Sequence, residues 1–115
     1  MKRSLVAALA ALGVSCGHSA AAAPDPERGG RLYARYCAGC HGPDGQGGAH
    51  TFMPHVENLT RKGYIELLPD EYLMTVIREG GLAVGKSSYM PAWGGTIAEE
   101  DIANIVAHIR RLGVR

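Results

Sequence analysis

From Asp25 to Leu112 the apolar residues recur three and four positions apart in three separate stretches, and no stretch alternates at a period of two. The first stretch carries Leu32, Tyr33 and Tyr36. Asp25 followed by Pro26 supplies an N-cap and a proline suited to a first turn, which predicts a helix from there to about Cys37. Leu73, Val76 and Ile77 mark a second helix, opening at Leu68-Pro69-Asp70-Glu71 and ending at Gly80-Gly81. A third runs from about Glu99 to Leu112 on a stripe of Ile102, Ile105, Val106, Ile109 and Leu112. Its acids Glu99, Glu100 and Asp101 lie at the positive end of the helix dipole, and Arg110 and Arg111 at the negative end. Gly42 to Gly48 reads Gly-Pro-Asp-Gly-Gln-Gly-Gly and predicts a loop. No repeat is visible. The expected fold class is all-α, three principal helices joined by long loops.

The region before Asp25 follows a different pattern. Lys2 and Arg3 form a basic start, Leu5 to Val14 is an apolar run, and Ser19-Ala20-Ala21-Ala22-Ala23 is a stretch of small residues. This is the layout of a secretory signal peptide, expected to span residues 1–22 with cleavage after Ala22. The run is too short to cross a bilayer, which takes about 20 apolar residues. Gly13-Val14-Ser15-Cys16 offers a second reading as a lipid-attachment box, although Gly13 stands where a branched apolar residue is usual. On that reading residues 17–27 form an Ala/Pro tether to the membrane.

Composition narrows the class. The chain has 115 residues, 46% hydrophobic and 20% charged, with a formal net charge of +1. That is one small domain of ordinary globular make-up. Loss of residues 1–22 removes Lys2 and Arg3 but no acid, leaving about −1. A charge so close to zero makes no case for nucleic-acid binding. Three cysteines cannot form a framework of several disulfides, and a core this small often needs a metal or cofactor to hold it.

The candidate chemistry lies in Cys37-Ala38-Gly39-Cys40-His41. C-x-x-C-H is the spacing of covalent haem c attachment. Two thiols three positions apart at a helix end can each add to one haem vinyl group, and the adjacent imidazole then reaches the iron as axial ligand. A thioredoxin-like pair or a structural disulfide would need no histidine, and the βαβ scaffold of the former is missing. A zinc site would want a second ligand pair, but the other candidate histidines are isolated at 50, 55 and 108. For the second axial position the candidates are Met53, Met74 and Met90. Met74 lies inside the second helix and is expected in the core. Met53 follows His41 by only twelve residues, a short return to the opposite haem face. Met90 sits in the loop Ser87-Ser88-Tyr89-Met90-Pro91-Ala92-Trp93 between the second and third helices and is the favoured ligand.

With these residues in hand, the sequence resembles the class I c-type cytochromes, small monohaem electron carriers. The resemblance covers about residues 27 to 112. It rests on Gly29 and Tyr33 before Cys37-Ala38-Gly39-Cys40-His41-Gly42, on Leu68-Pro69-Asp70-Glu71-Tyr72-Leu73 with Ile77-Arg78-Glu79-Gly80, on Met90-Pro91-Ala92-Trp93, and on Asp101 to Ile109. It implies a cytochrome c domain over residues 28–115, after a linker at 23–27. It also implies a tight crossing of the first and last helices at Gly29 and Tyr33. His108 stands there in place of the family's aromatic and is assigned to packing rather than to iron. Pro54 falls near the family proline whose carbonyl orients the haem histidine. Ala98 replaces the usual capping serine of the last helix, leaving Thr96 or water for that role. Trp93 is expected either at a haem propionate or packed over the haem edge. Gly80 to Ser87 also spells a phosphate-loop pattern, but it lacks the preceding strand and the following helix that pattern needs.

The expected function is an exported, periplasmic or otherwise extracytoplasmic electron carrier rather than an enzyme. Its haem c would be attached through Cys37 and Cys40 and its iron held by His41 and Met90. Its partners would be redox proteins docking transiently, with no nucleic acid, and a membrane only through Cys16 or a membrane complex. The alternatives are a haem enzyme or gas sensor with an open sixth position, and the cytochrome subunit of a dehydrogenase or oxidase complex.

Overall fold

The computed structural model describes residues 6–17, 21–47 and 56–114. Residues 6–17 take no regular secondary structure, and Leu9 is 95% exposed. The ordered elements are α1 (Pro26–Tyr36), α2 (Ala38–His41), α3 (Asp70–Glu79) and α4 (Glu99–Leu112), with single 3-10 turns at Ile65–Leu67 and Leu82–Val84. Among the described residues there is no strand, and no helix is long and apolar enough to cross a membrane.

α1 starts where Asp25 and Pro26 place it. The Asp25 carboxylate accepts from the backbone N–H groups of Glu27 and Arg28 at 2.9 and 3.1 Å, satisfying two donors that a helix start leaves unpaired. α3 and α4 begin after Pro69 and Ala98, neither of which caps with a side chain. Thr96 therefore does not replace the missing serine. Acids do part of that work: Asp70 and Glu71 open α3, and Glu99, Glu100 and Asp101 open α4.

The core lies where α1 and α3 pack on α4. Ile102 and Ile105 are fully buried, with Tyr33, Leu73, Ile77, Ile97, Val106, Ile109 and Leu112 around them. α1 and α4 cross backbone to backbone at Gly29, where an added Cβ lies 1.8 Å from the Asn104 carbonyl oxygen. One turn on, the Tyr33 and His108 rings pack at 5.1 Å, the packing role expected for His108. Asn104 is the one buried polar residue among those described. Its Oδ1 accepts the Asp25 N–H at 2.7 Å and its Nδ2 donates to Asp101 at 3.1 Å. Asp101 also pairs with Arg28, so the start of α1 is tied to the start of α4 by three side chains.

The segment before α3 is held by Arg110. Its guanidinium donates to the carbonyls of Ile65 and Leu68 and to the Asp70 carboxylate, joining the end of α4 to the 3-10 turn and the start of α3. Arg78, near the end of α3, pairs with Glu71 and with Glu99 of α4.

Candidate haem site

Cys37 is the junction from which the site is built. It ends α1, donating its N–H to the Tyr33 carbonyl at 2.8 Å, and it starts α2, accepting from Cys40 and His41 at 3.2 and 2.9 Å. This one-turn helix places Cys37, Cys40 and His41 together. Gly42 closes it with φ +81°, a left-handed conformation that glycine adopts without strain. The buried Tyr33 hydroxyl donates to the Gly42 carbonyl at 2.7 Å, so the residue that packs at the helix crossing also fixes the end of the motif. Burial, aided by the nearby Cys37 and Asp44, pushes the Tyr33 phenol well above its ordinary value and keeps it a neutral donor.

The two thiols differ. Cys37 is buried and Cys40 exposed, and they are not joined to each other. Burial first, and the neighbouring Cys40 second, push the Cys37 thiol up to about 11. A raised, buried thiol is a poor thiolate nucleophile, which opposes Cys37 as an attacking cysteine.

His41 is half-buried, with Nδ1 3.3 Å from the Glu57 carbonyl. Burial pulls its pKa below the ordinary value of 6.5, partly offset by that carbonyl, so the imidazole is neutral at pH 7. With Nδ1–H directed at the carbonyl, Nε2 is left with its lone pair, the form in which histidine ligates a metal. The orienting carbonyl is thus that of Glu57, a residue the sequence did not single out. Pro54, expected in this role, lies outside the described residues, as do Met53, His50 and His55.

Met90 is half-buried in the loop between α3 and α4, and packs against the same apolar cluster to which Cys37 belongs. The two parts of the site meet through aromatic rings. Tyr36, the residue before Cys37, packs on Trp93, three residues beyond Met90, at 5.2 Å and 55°. Met74 borders the core from within α3, as expected.

This donor set suits a covalently attached haem: two unjoined thiols and a neutral imidazole on one turn, with a thioether carried by a loop on the same apolar cluster. Residues 24–109, about three quarters of the chain, match the family model described as cytochrome c oxidase, cbb3-type, subunit III. The chain belongs to this family. It is a c-type cytochrome domain carrying covalently bound haem c, and its helical fold agrees with that assignment.

The cytochrome also accounts for the phosphate-loop look-alike. Gly80 to Ser87 follows a helix, passes through the 3-10 turn at Leu82–Val84 and leads into the Met90 loop. Lys86 Nζ is spent on the Tyr64 hydroxyl at 3.1 Å. The amides of Val84, Gly85 and Lys86 donate to the carbonyls of Gly81, Leu82 and Gly81, so they do not point together at a phosphate.

Proposed function

We propose that the cytochrome is an exported single-electron carrier whose haem is attached through Cys37 and Cys40 and whose iron is held by His41 and Met90. The observation that carries this reading is the His41 arrangement. A neutral imidazole with Nδ1 on the Glu57 carbonyl has Nε2 prepared as a ligand. Met90 is supported as its counterpart by its seat on the apolar cluster beside Tyr36 and Trp93.

Haem bound there supplies one-electron iron chemistry. The chain's part is to hold and shield. Cys37 and Cys40 fix the attachment points, and the Glu57 carbonyl sets the His41 tautomer and ring orientation. The apolar cluster disfavours the more highly charged oxidised state, and the Met90 thioether acts in the same direction. No bond of a substrate changes. Redox partners of small, short-lived interface fit such a carrier. The signal-like residues 1–22 support an extracytoplasmic location, with Cys16 as the alternative point of lipid attachment.

The test is spectroscopic. Oxidised and reduced spectra are recorded on protein made with haem-attachment machinery, and carbon monoxide is then added to the reduced form. The reading expects a low-spin spectrum that carbon monoxide shifts only at high concentration and that Met90→Ala converts to high-spin. Ready carbon monoxide binding by the unaltered protein would shift the assignment to a haem enzyme or gas sensor.

A second reading, that the domain is a subunit of an oxidase complex, is favoured by the description of the matching family. Purification under mild detergent from a native membrane distinguishes the two. A complex subunit travels with a large haem-containing partner, whereas a free carrier elutes alone.

A further inference from the structure

The hydrogen bonds that seat the Met90 loop on the C-terminal end of α3 run between backbone groups. The Gly81 N–H donates to the Met90 carbonyl at 3.0 Å, and the Gly81 carbonyl accepts from Lys86 at 2.8 Å. On the far side of Met90, Trp93 and Gly94 donate to the carbonyls of Ile77 and Arg78 at 2.9 and 3.0 Å. Gly81 therefore clasps both Met90 and the strand of loop that leads to it.

Its lack of a side chain serves proximity and not backbone conformation. Gly81 has φ −65° and ψ −38°, which any residue adopts. Its neighbour Gly80 is the residue that needs positive φ, at +84°, to end α3. A Cβ built on Gly81, by contrast, lies 2.0 Å from the Ser87 carbonyl oxygen and 3.2 Å from Met90 Cβ. The nearest atom is backbone and cannot rotate aside. A methyl group here must lift the loop that bears Met90.

We infer that Gly81 is a positioning residue for the sixth iron ligand, setting how tightly Met90 is held at the iron. The inference rests on the reading of Met90 as that ligand. Carbon monoxide can bind only when Met90 is away, so its apparent affinity scales with the fraction of molecules in which the loop is lifted. Overpacking against a backbone atom disfavours the seated loop enough to raise that fraction about tenfold, the factor that ~1.4 kcal/mol represents.

The experiment compares carbon monoxide titrations of the reduced holoprotein for the unaltered chain, Gly81→Ala, Gly95→Ala and Ile105→Val. Gly95 lies in the turn that follows the same loop, with no atom within 4 Å of an added Cβ. Ile105→Val lowers overall stability from the buried core on α4, far in sequence from the loop. The expected result is about tenfold tighter carbon monoxide binding in Gly81→Ala alone. Equal affinity in Gly81→Ala and Gly95→Ala overturns the inference, as does an equal gain in Ile105→Val, which would reduce the effect to general destabilisation. Met90→Ala, run alongside, keeps the two levels apart. If it leaves the spectrum low-spin, the ligand assignment itself is wrong. If it turns high-spin while Gly81→Ala behaves as the unaltered chain, only the role of Gly81 is lost.

Should Gly81→Ala fail to take up haem, amide exchange in the unaltered protein decides. Displacing Met90 with imidazole is then expected to speed exchange at the Gly81 amide and to spare that of Ile102 within α4, since coupling between two sites is reciprocal. No change at Gly81 overturns the inference.

Discussion

Replacing Gly29 with alanine tests the helix crossing on which the whole domain is hung. The added Cβ lies 1.8 Å from the Asn104 carbonyl oxygen, 2.4 Å from its carbon and 2.9 Å from the Ile105 nitrogen. All three are α4 backbone, so relief requires the helices to part by more than an ångström. That movement strains the bond from the Asp25 N–H to Asn104 and the packing of Tyr33 on His108. Overpacking ordinarily costs about 1–3 kcal/mol, and a backbone obstacle puts this case at or above the top of that range. Gly30→Ala is the matched control. Its Cβ meets the His108 imidazole at 3.0 Å, an obstacle of side chain and not of backbone. Both changes bring the same helix-propensity gain of about 1 kcal/mol, so it cancels in the comparison. Gly29→Ala is therefore expected to be less stable than Gly30→Ala by about 3 kcal/mol, a drop in Tm of roughly 12–24 °C for a domain of this size. Thermal and denaturant unfolding of both holoproteins in one oxidation state, followed by far-ultraviolet circular dichroism, measures this. A difference below about 1 kcal/mol would refute the crossing as the reason for glycine at this position.

Further outcomes follow from two charged groups. Arg110→Gln removes the fork that holds the Ile65 and Leu68 carbonyls and Asp70, and is expected to cost about 1–2 kcal/mol in denaturant unfolding. Arg110→Lys should recover less than half of that, because an ammonium cannot span the same acceptors. The Asp101 carboxyl is held below its ordinary 3.8, chiefly by hydrogen bonding to Arg28. A carboxyl depressed in the folded state stabilises above its unfolded pKa, and that contribution is lost as pH falls through the folded one. Asp101→Asn should thus flatten the acid side of the stability–pH curve below about pH 4 while leaving its slope near neutrality unchanged.

How much of this was legible in the sequence depends on whether a feature is carried by side-chain identity or by backbone. The three long helices were, because Leu73, Ile77, Ile102, Ile105 and Ile109 recur at helical spacing and Asp25-Pro26 marks a start in residue types that capping requires. The cysteines and His41 were legible for the same reason: thiols and an imidazole are chemistry that a letter denotes. The break at Cys37 that makes α2 a separate turn was not, nor were the 3-10 turns at Ile65–Leu67 and Leu82–Val84, since one turn is too short to display a period. Asn104 is a polar letter beside the apolar stripe, and nothing in the sequence marks it for the core. Only the fold reveals that it bridges Asp25 and Asp101 from inside the core.

The residues that the proposed reading adds to those the sequence named share one property. Glu57 acts on His41 through its carbonyl, which every residue possesses, so no letter announces it. Gly81 acts through its N–H and through the absence of a Cβ, and beside Gly80 it passes for an ordinary helix stop. Both axial ligands on the proposed reading are thus held from behind by main chain: His41 by the Glu57 carbonyl, Met90 by the Gly81 amide. A sequence can keep those two contacts while changing most side chains nearby, provided that position 81 stays glycine. Substitution at Glu57 should accordingly leave His41 ligation intact unless it alters the path of the backbone, whereas at Gly81 the smallest possible change is already too large. Position 57 is expected to accept any residue that follows the same path, whereas any side chain at position 81 is expected to loosen the hold on Met90.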